Sequence, residues 1–229
     1  TDLPVASHLT CVGATREETM EVARAYRAAG VTRIVALRGD KPKDAERFEP
    51  HPGGFATAAE LVGALAGEGF DLSVAAYPET HPEAASPQAD IDNLKRKLDA
   101  GADQAITQFF FEVEHFLRFR DKAAAAGISA PIVPGIMPIE NFQRMSRFAR
   151  ACGTYIPDWM EAGFANAQDE EQHNLLATAI ATELCDKLIE EGVGHLHFYT
   201  LNKPDLTYNV SRAIGCEAAP LEMAAGGVA

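Results

Sequence analysis

LSVAAYPETHPEAASPQADIDNLKRKLDAGADQAITQFFF, residues 72–111, reads as one strand–helix–strand unit. Leu72–Tyr77 is a short apolar run stopped by Pro78. Gln88–Ala100 carries apolar residues at helical spacing, and Ala105–Phe111 is a second apolar run. Neither run alternates apolar with polar residues. Unbroken apolar strands joined by a helix belong to a parallel sheet covered on both faces.

The same alternation extends in both directions. Upstream, His8–Val12 reads as a strand, Thr15–Ala29 as a helix stopped by Gly30, Arg33–Leu37 as a strand and Thr57–Ala66 as a helix after the polar loop Lys41–Gly54. Downstream come a helix over Val113–Ala126, a strand over Pro131–Met137 and helices over Glu140–Ala151 and Glu170–Glu191. A strand over His195–Leu201 and a helix over Leu206–Ile214 follow. This α/β pattern fits either an open doubly wound sheet or a closed (β/α)8 TIM barrel. No GxGxxG turn supports the first. The second requires eight strands where six are readable, so either a preceding segment is absent or a loop hides strands.

Composition narrows the function. The 229 residues are 47% hydrophobic and 23% charged, with a net charge of −13. That charge argues against a nucleic-acid-binding surface while leaving room for a local basic pocket. No apolar run approaches the roughly 20 residues that cross a bilayer, and no targeting segment is recognisable. Cys11, Cys152, Cys185 and Cys216 form no CxxC pair and are expected as free thiols of a cytoplasmic protein. The small-residue stretch 216–229 is expected to fray.

In a barrel the working residues sit where strands end. The second strand ends in Arg38-Gly39-Asp40, a fixed cation, a bare backbone and an acid. A tight turn with a local ion pair would need the same residues. On the central helix, Ile91, Leu94 and Leu98 form an apolar stripe, bordered by a polar stripe of Asp90, Asn93 and Lys97. Lys95-Arg96-Lys97 is the one run of three cations. It reads as a phosphate-holding flank or as a solvated face with an i,i+4 pair such as Lys95 with Asp99. Phe109–Phe111 reads as core packing. His195 and His197 have a zinc-capable spacing without a third ligand cluster, so no metal is expected. GxSxG, HExxH and P-loop patterns are absent.

Taken together, His8-Leu-Thr-Cys11, Ala36-Leu-Arg-Gly-Asp40, Val74-Ala-Ala-Tyr-Pro-Glu79, His81-Pro-Glu-Ala84, Asn93-Leu-Lys-Arg-Lys97, Ile106-Thr-Gln-Phe-Phe-Phe111, Pro134-Gly-Ile136 and His197-Phe-Tyr-Thr-Leu-Asn202 resemble the bacterial type of methylenetetrahydrofolate reductase. The resemblance runs from about residue 7 to residue 215. It implies a TIM-barrel catalytic domain over 1–215 that holds FAD at its strand ends. NADH or NADPH would reduce the flavin and leave. A tetrahydrofolate substrate would then take the same place and accept the hydride, in a ping-pong scheme, within a homo-oligomer. His8, Arg38, Gly39, Asp40, Phe55, Ala56, Tyr77, His81, Ala84, Asp90, Asn93, Arg96 and Lys97 match cofactor-contacting positions; at Phe55 the family often has Tyr. Gln108 and Phe148 match substrate-side positions. Arg144 and Lys203 fall where the family often shows Gln and Arg, and Lys does not copy a bidentate Arg contact. Asp40 is suited to stabilising the substrate cation formed when the methylene bridge opens.

The resemblance also implies two strands ahead of the His8 block, the first bearing the glutamate thought to act as general acid. Neither is present in the sequence, so the six readable strands correspond to strands 3–8, and folate reduction by this chain alone is expected to be impaired. Two competing readings are a phosphate-binding barrel lyase, which needs a Schiff-base lysine on a strand, and a non-catalytic barrel fragment completed by a partner segment.

Overall fold

The computed structural model describes residues 4–41, 45–46 and 48–217. Six strands form one parallel sheet in simple sequential order: β1 (Ala6–Thr10), β2 (Arg33–Leu37), β3 (Asp71–Ala76), β4 (Gln104–Phe109), β5 (Ile132–Ile136) and β6 (His197–Phe198). Helices α1 (Arg16–Ala28), α2 (Ala58–Leu65), α3 (Pro87–Asp99) and α4 (Val113–Ala125) make the first four crossovers. Helices α5 (Phe142–Cys152), α6 (Asp158–Asn166) and α7 (Glu170–Glu190) lie between β5 and β6, and α8 (Asp205–Ala213) follows β6.

Local chemistry sets the helix starts. Thr15 forms a reciprocal capping box with Glu18, and Thr57, Ser86, Asn141 and Asp169 each cap a helix through a side-chain oxygen. Each cap contributes about 1 kcal/mol.

Register explains the layers. Leu9, Ala36, Val74 and Ala105 are successive cross-strand partners, all buried with Ala23, Leu61, Leu65 and Leu94 in one core. On the opposite face the partners are His8, Val35, Ser73 and Gln104. There His8 is exposed, and Ser73 and Gln104 are half-buried. The sheet curls: burial lowers the basicity of His197 on β6, and His8 on β1 is close enough to lower it further. The molecule is therefore a curled parallel half-barrel with its helices outside. The expectation of strands covered on both faces holds along β2, where Ile34, Val35 and Ala36 are all buried, and fails along β3 and β4. Burial alternates along β3 and β4 although the sequence does not, because small apolar residues such as Ala75 line the concave side.

The second half departs further from expectation. The strand expected over His195–Leu201 shortens to His197–Phe198, because Leu201 and Asn202 adopt left-handed backbone (φ 49° and 61°) and turn the chain away. Helix α6 is absent from the sequence reading: it is short, contains Gly163 and has no side-chain cap. The expected apolar stripe of α3 faces the core, with Ile91 and Leu94 buried and Leu98 packed against them, and Lys97 from the neighbouring polar stripe is buried as well. All four cysteines are free. Among the described residues no helix is long and apolar enough to cross a membrane. The tail expected to fray lies, from residue 218, outside the described residues.

Candidate functional site

Loops after successive strands gather around the open end of the concave face. Arg38, just past β2, pairs with Glu83 at 2.9 Å, and its guanidinium lies 4.3 Å from the Phe48 ring centroid. Gly39 follows with φ 89°. A Cβ there would sit 2.6 Å from Val12 Cγ1, so the close approach of the β1 and β2 ends requires glycine. Asp40 is exposed beyond it.

Past β3, the Tyr77 and His81 rings meet edge to face at 4.5 Å. The His81 amide donates to Asp90 Oδ2 at 2.8 Å, and the Ala84 amide donates to the His81 carbonyl at 2.9 Å. Tyr77 is pushed up to about 12, chiefly by burial and then by the charges of Cys152, Asp40 and Asp90, with Arg38 opposing them. Tyr199, at the end of β6, is also pushed to about 12, by burial and then by Tyr77 and Cys152. These groups therefore lie near one another at the open end of the concave face.

The basic run divides. Lys95 pairs with Asp99 at 3.3 Å, as a solvated face would, and exposed Arg96 donates to Asn93 Oδ1 at 3.3 Å. Lys97 is 6% exposed and donates its ammonium to the Ala75 carbonyl near the end of β3. Burial lowers it to about 8, with Asp90 partly restoring the charge. A buried cation thus reaches the strand ends from beneath.

The positions expected on the substrate side come from β4, α5 and the loop after β6. Gln108 accepts the Phe109 amide at 3.1 Å, and Phe148, 47% exposed, stacks on Phe109 with centroids 5.5 Å apart. Lys203 pairs with Glu140 at 2.5 Å, bridging the loops after β6 and β5. Arg144 stands exposed on the first turn of α5. Tyr199 lies over β5 and donates its hydroxyl to the Thr107 carbonyl at 2.8 Å. A Cβ on Gly135 would collide with that ring, at 2.6 Å. His8 stands on the concave edge, its carbonyl accepting from Tyr26.

One position is not brought to the open end by its side chain. The Phe55 ring is 1% exposed within the outer core, covered by the Arg16 guanidinium at 4.6 Å. Residues 55 and 56 can offer a ligand only backbone or the Ala56 methyl. Sequence reasoning also missed a cluster behind the β3 loop. Glu79 contacts His115 and the Tyr155 amide, residues 36 and 76 positions further on, and no local motif announces the group. Among the described residues, no set of three or more His, Cys, Asp or Glu is placed to hold a metal.

Arg38, Arg96 and Lys97 can serve an anionic group, Gly39 allows close backbone approach, and Tyr77 and His81 present an aromatic wall. That donor set fits a flat heteroaromatic ligand with a phosphorylated tail.

Comparison with known proteins agrees with this geometry. The family model described as methylenetetrahydrofolate reductase matches residues 1–215. The chain is 48% identical over 217 residues to 5,10-methylenetetrahydrofolate reductase of Salmonella typhimurium, covering 94% of this chain and 71% of the relative. The Escherichia coli protein of the same name is 46% identical over 216 residues, with the same coverage. A solved structure of a Clostridium thermocellum protein, described as binding two copies of 5-methyl-5,6,7,8-tetrahydrofolic acid, superposes with a TM-score of 0.50 at 15% identity. It covers 91% of this chain and 93% of its own, and supports the barrel-like fold. With the family's sequence running through all six strands and their loops, the chain belongs to the methylenetetrahydrofolate reductase family of oxidoreductases.

Proposed function

We propose that the chain reduces 5,10-methylenetetrahydrofolate to 5-methyltetrahydrofolate, with NADH or NADPH as donor and FAD held at the strand ends. The observation that carries this reading is that the loops after β2 and β3 meet at the Arg38–Glu83 ion pair, beside the Tyr77–His81 ring pair and the His81 amide bonded to Asp90, in a chain of this family. The six strands take the places of strands 3–8 of a (β/α)8 barrel. The sequential parallel order supports this placement, as do the outer edges of β1 and β6, which are unpaired among the described residues.

When bound, the flavin would supply reversible hydride transfer, from nicotinamide in one half-reaction and to the methylene carbon in the other. The chain's own residues do the rest. Arg38, Arg96 and Lys97 would hold the diphosphate and its flanking groups by charge and hydrogen bonds. Gly39, whose open side is filled by Val12, and residues 55–56 would meet the ring system through backbone or the Ala56 methyl. Gln108 offers an amide for the pterin edge, and Phe148 offers an exposed ring face for either substrate in turn. Arg144 and Lys203 line the substrate side; Lys203 must exchange Glu140 for a substrate carboxylate to contribute there. The exposed Asp40 carboxylate would stabilise the positive charge that develops as the methylene bridge opens.

Purified protein tests the reading directly. It should carry a flavin absorption that NADH or NADPH bleaches and methylenetetrahydrofolate restores. Asp40→Asn should slow the folate half-reaction roughly 100-fold and the nicotinamide half-reaction by less than about threefold. Equal slowing of both would remove Asp40 from its assigned role, and protein unable to take up flavin would end the proposal.

A further inference from the structure

Behind the β3 loop sits a half-buried polar cluster that none of the roles above uses. Glu79 lies between Tyr77 and His81. Its Oε1 accepts the Tyr155 amide at 2.9 Å and lies 3.2 Å from His115 Nδ1, with the Glu79 side chain only 11% exposed. The His115 ring stacks on Tyr155 (centroids 5.8 Å, 23°), and its Nε2 faces Glu112 Oε2 at 3.6 Å. Three segments distant in sequence therefore meet on one oxygen: the loop after β3, the first turn of α4 and the segment after α5.

The loop they hold needs holding. Thr80, next to Glu79, has φ 77°, a left-handed conformation uncommon for a β-branched residue. The segment after α5 is itself fixed. The Thr154 hydroxyl donates to the Phe109 carbonyl at 3.3 Å, and the Gly153 backbone packs so closely on Pro82 that a Cβ would sit 3.3 Å from Pro82 Cγ. The anchor thus runs from β4 through residues 153–155 into the loop that carries Tyr77, His81 and Ala84.

We propose that Glu79, clamped by His115 and the Tyr155 amide, is a positioning residue that sets the Tyr77–Ala84 loop against the flavin. The proposal rests on the FAD reading above and deepens it: Glu79 acts through Tyr77 and His81 and does not touch the cofactor. Strain at Thr80 and the edge-to-face pair at 4.5 Å are kept in place by a contact made more than 30 residues away in sequence.

The clamp also has a pH window. Burial raises Glu79 to about 7, with Glu112 adding to the rise and Arg118 and the Tyr155 amide opposing it. Burial lowers His115, with Arg118 lowering it further and Glu112 and Glu114 opposing. The closed loop therefore prefers a neutral Glu79 beside a neutral His115. Release of the loop lets Glu79 ionise in water, so closure weakens as pH rises through about 7. On the acid side, closure weakens as pH falls through the depressed value of His115.

The test is FAD affinity of the full chain freed of flavin, titrated by flavin fluorescence from pH 5.5 to 8.5. Wild type should bind about fivefold more weakly at pH 8.5 than at pH 6.5. Glu79→Gln keeps a neutral acceptor of the same shape; it should bind within about twofold of wild type at pH 6.5 and lose the alkaline weakening. Glu79→Ala should bind at least about tenfold more weakly at both pH values, with far-UV circular dichroism unchanged. A Gln variant that keeps the full alkaline loss, or a folded Ala variant with wild-type affinity, overturns the clamp and leaves the FAD reading standing. Wild type that binds no FAD at any pH overturns both.

Discussion

The two faces of the half-barrel sheet are built from neighbouring residues and do opposite work. Leu72 points outward and is 1% exposed among Leu61, Leu65 and Leu94, while Ser73 points to the concave side, half-exposed, and accepts a hydrogen bond from Gln104 at 3.0 Å. The outer face is sealed by helices and holds the fold. The concave face is loosely filled and holds the polar and aromatic groups that a ligand could reach: His8, Gln108, His197 and Tyr199. Stability and binding are therefore separated by a single step along the chain, because side chains alternate across a strand.

Truncation of both neighbours gives the largest test of that separation. Leu72→Ala should cost about 2–5 kcal/mol, since it empties a fully packed site. Ser73→Ala should cost about 0.5–1 kcal/mol, the worth of one partly hydrated hydrogen bond. Denaturant midpoints measure both. Equal losses would mean that the concave face is packed as tightly as the outer one, and the division between the faces would fail.

How much of this was legible in the sequence follows the same division. The outer face is carried by runs such as Arg33–Leu37 and by capped helices such as Arg16–Ala28, and local pattern finds both. The strand-end residues Arg38, Gly39, Asp40 and Tyr77 were legible as a site because strand ends in a barrel face one way, and the resemblance assigned their roles. What local pattern does not carry is long-range. Lys97 reads as polar on a helical wheel but is buried, because its long stem passes along the sheet before its ammonium finds the Ala75 carbonyl. His115 and Tyr155 carry no signal of their own, since their meaning comes only from Glu79. Phe55 reads as a cofactor neighbour yet turns its ring into the core.

A smaller effect is expected where a concave residue and its strand interlock. Gly135 leaves room for Tyr199 to lie over β5, and its amide is satisfied by the Thr107 hydroxyl at 2.9 Å. Gly135→Ala should cost about 1–3 kcal/mol, because the added methyl meets the Thr107 carbonyl at 2.2 Å, which is backbone and cannot swing aside. Near-ultraviolet circular dichroism should report the displaced tyrosine. A variant as stable as wild type with Tyr199 unmoved would show that the concave face has slack even at its tightest point.

The smallest effect comes from the exception to the division. Lys97 is the only charged side chain buried among the described residues, and it lies on the inward face of α3, on the sealed side of the sheet. Its ammonium titrates near 8 when folded and near 10.5 when unfolded, so folding disfavours its charge. The stability this group contributes is present above about 10.5 and is lost as pH falls through about 8. Between pH 7 and pH 9 the wild-type protein without flavin should therefore gain about 1 kcal/mol relative to Lys97→Met, read from denaturant midpoints at each pH. An anionic ligand at the strand ends favours the ammonium and should move that gain to higher pH when FAD is present. A gain at the same pH with and without FAD would make Lys97 a buried strut of α3 rather than a contact of the diphosphate, and would return the cofactor's anionic tail to Arg38 and Arg96 alone.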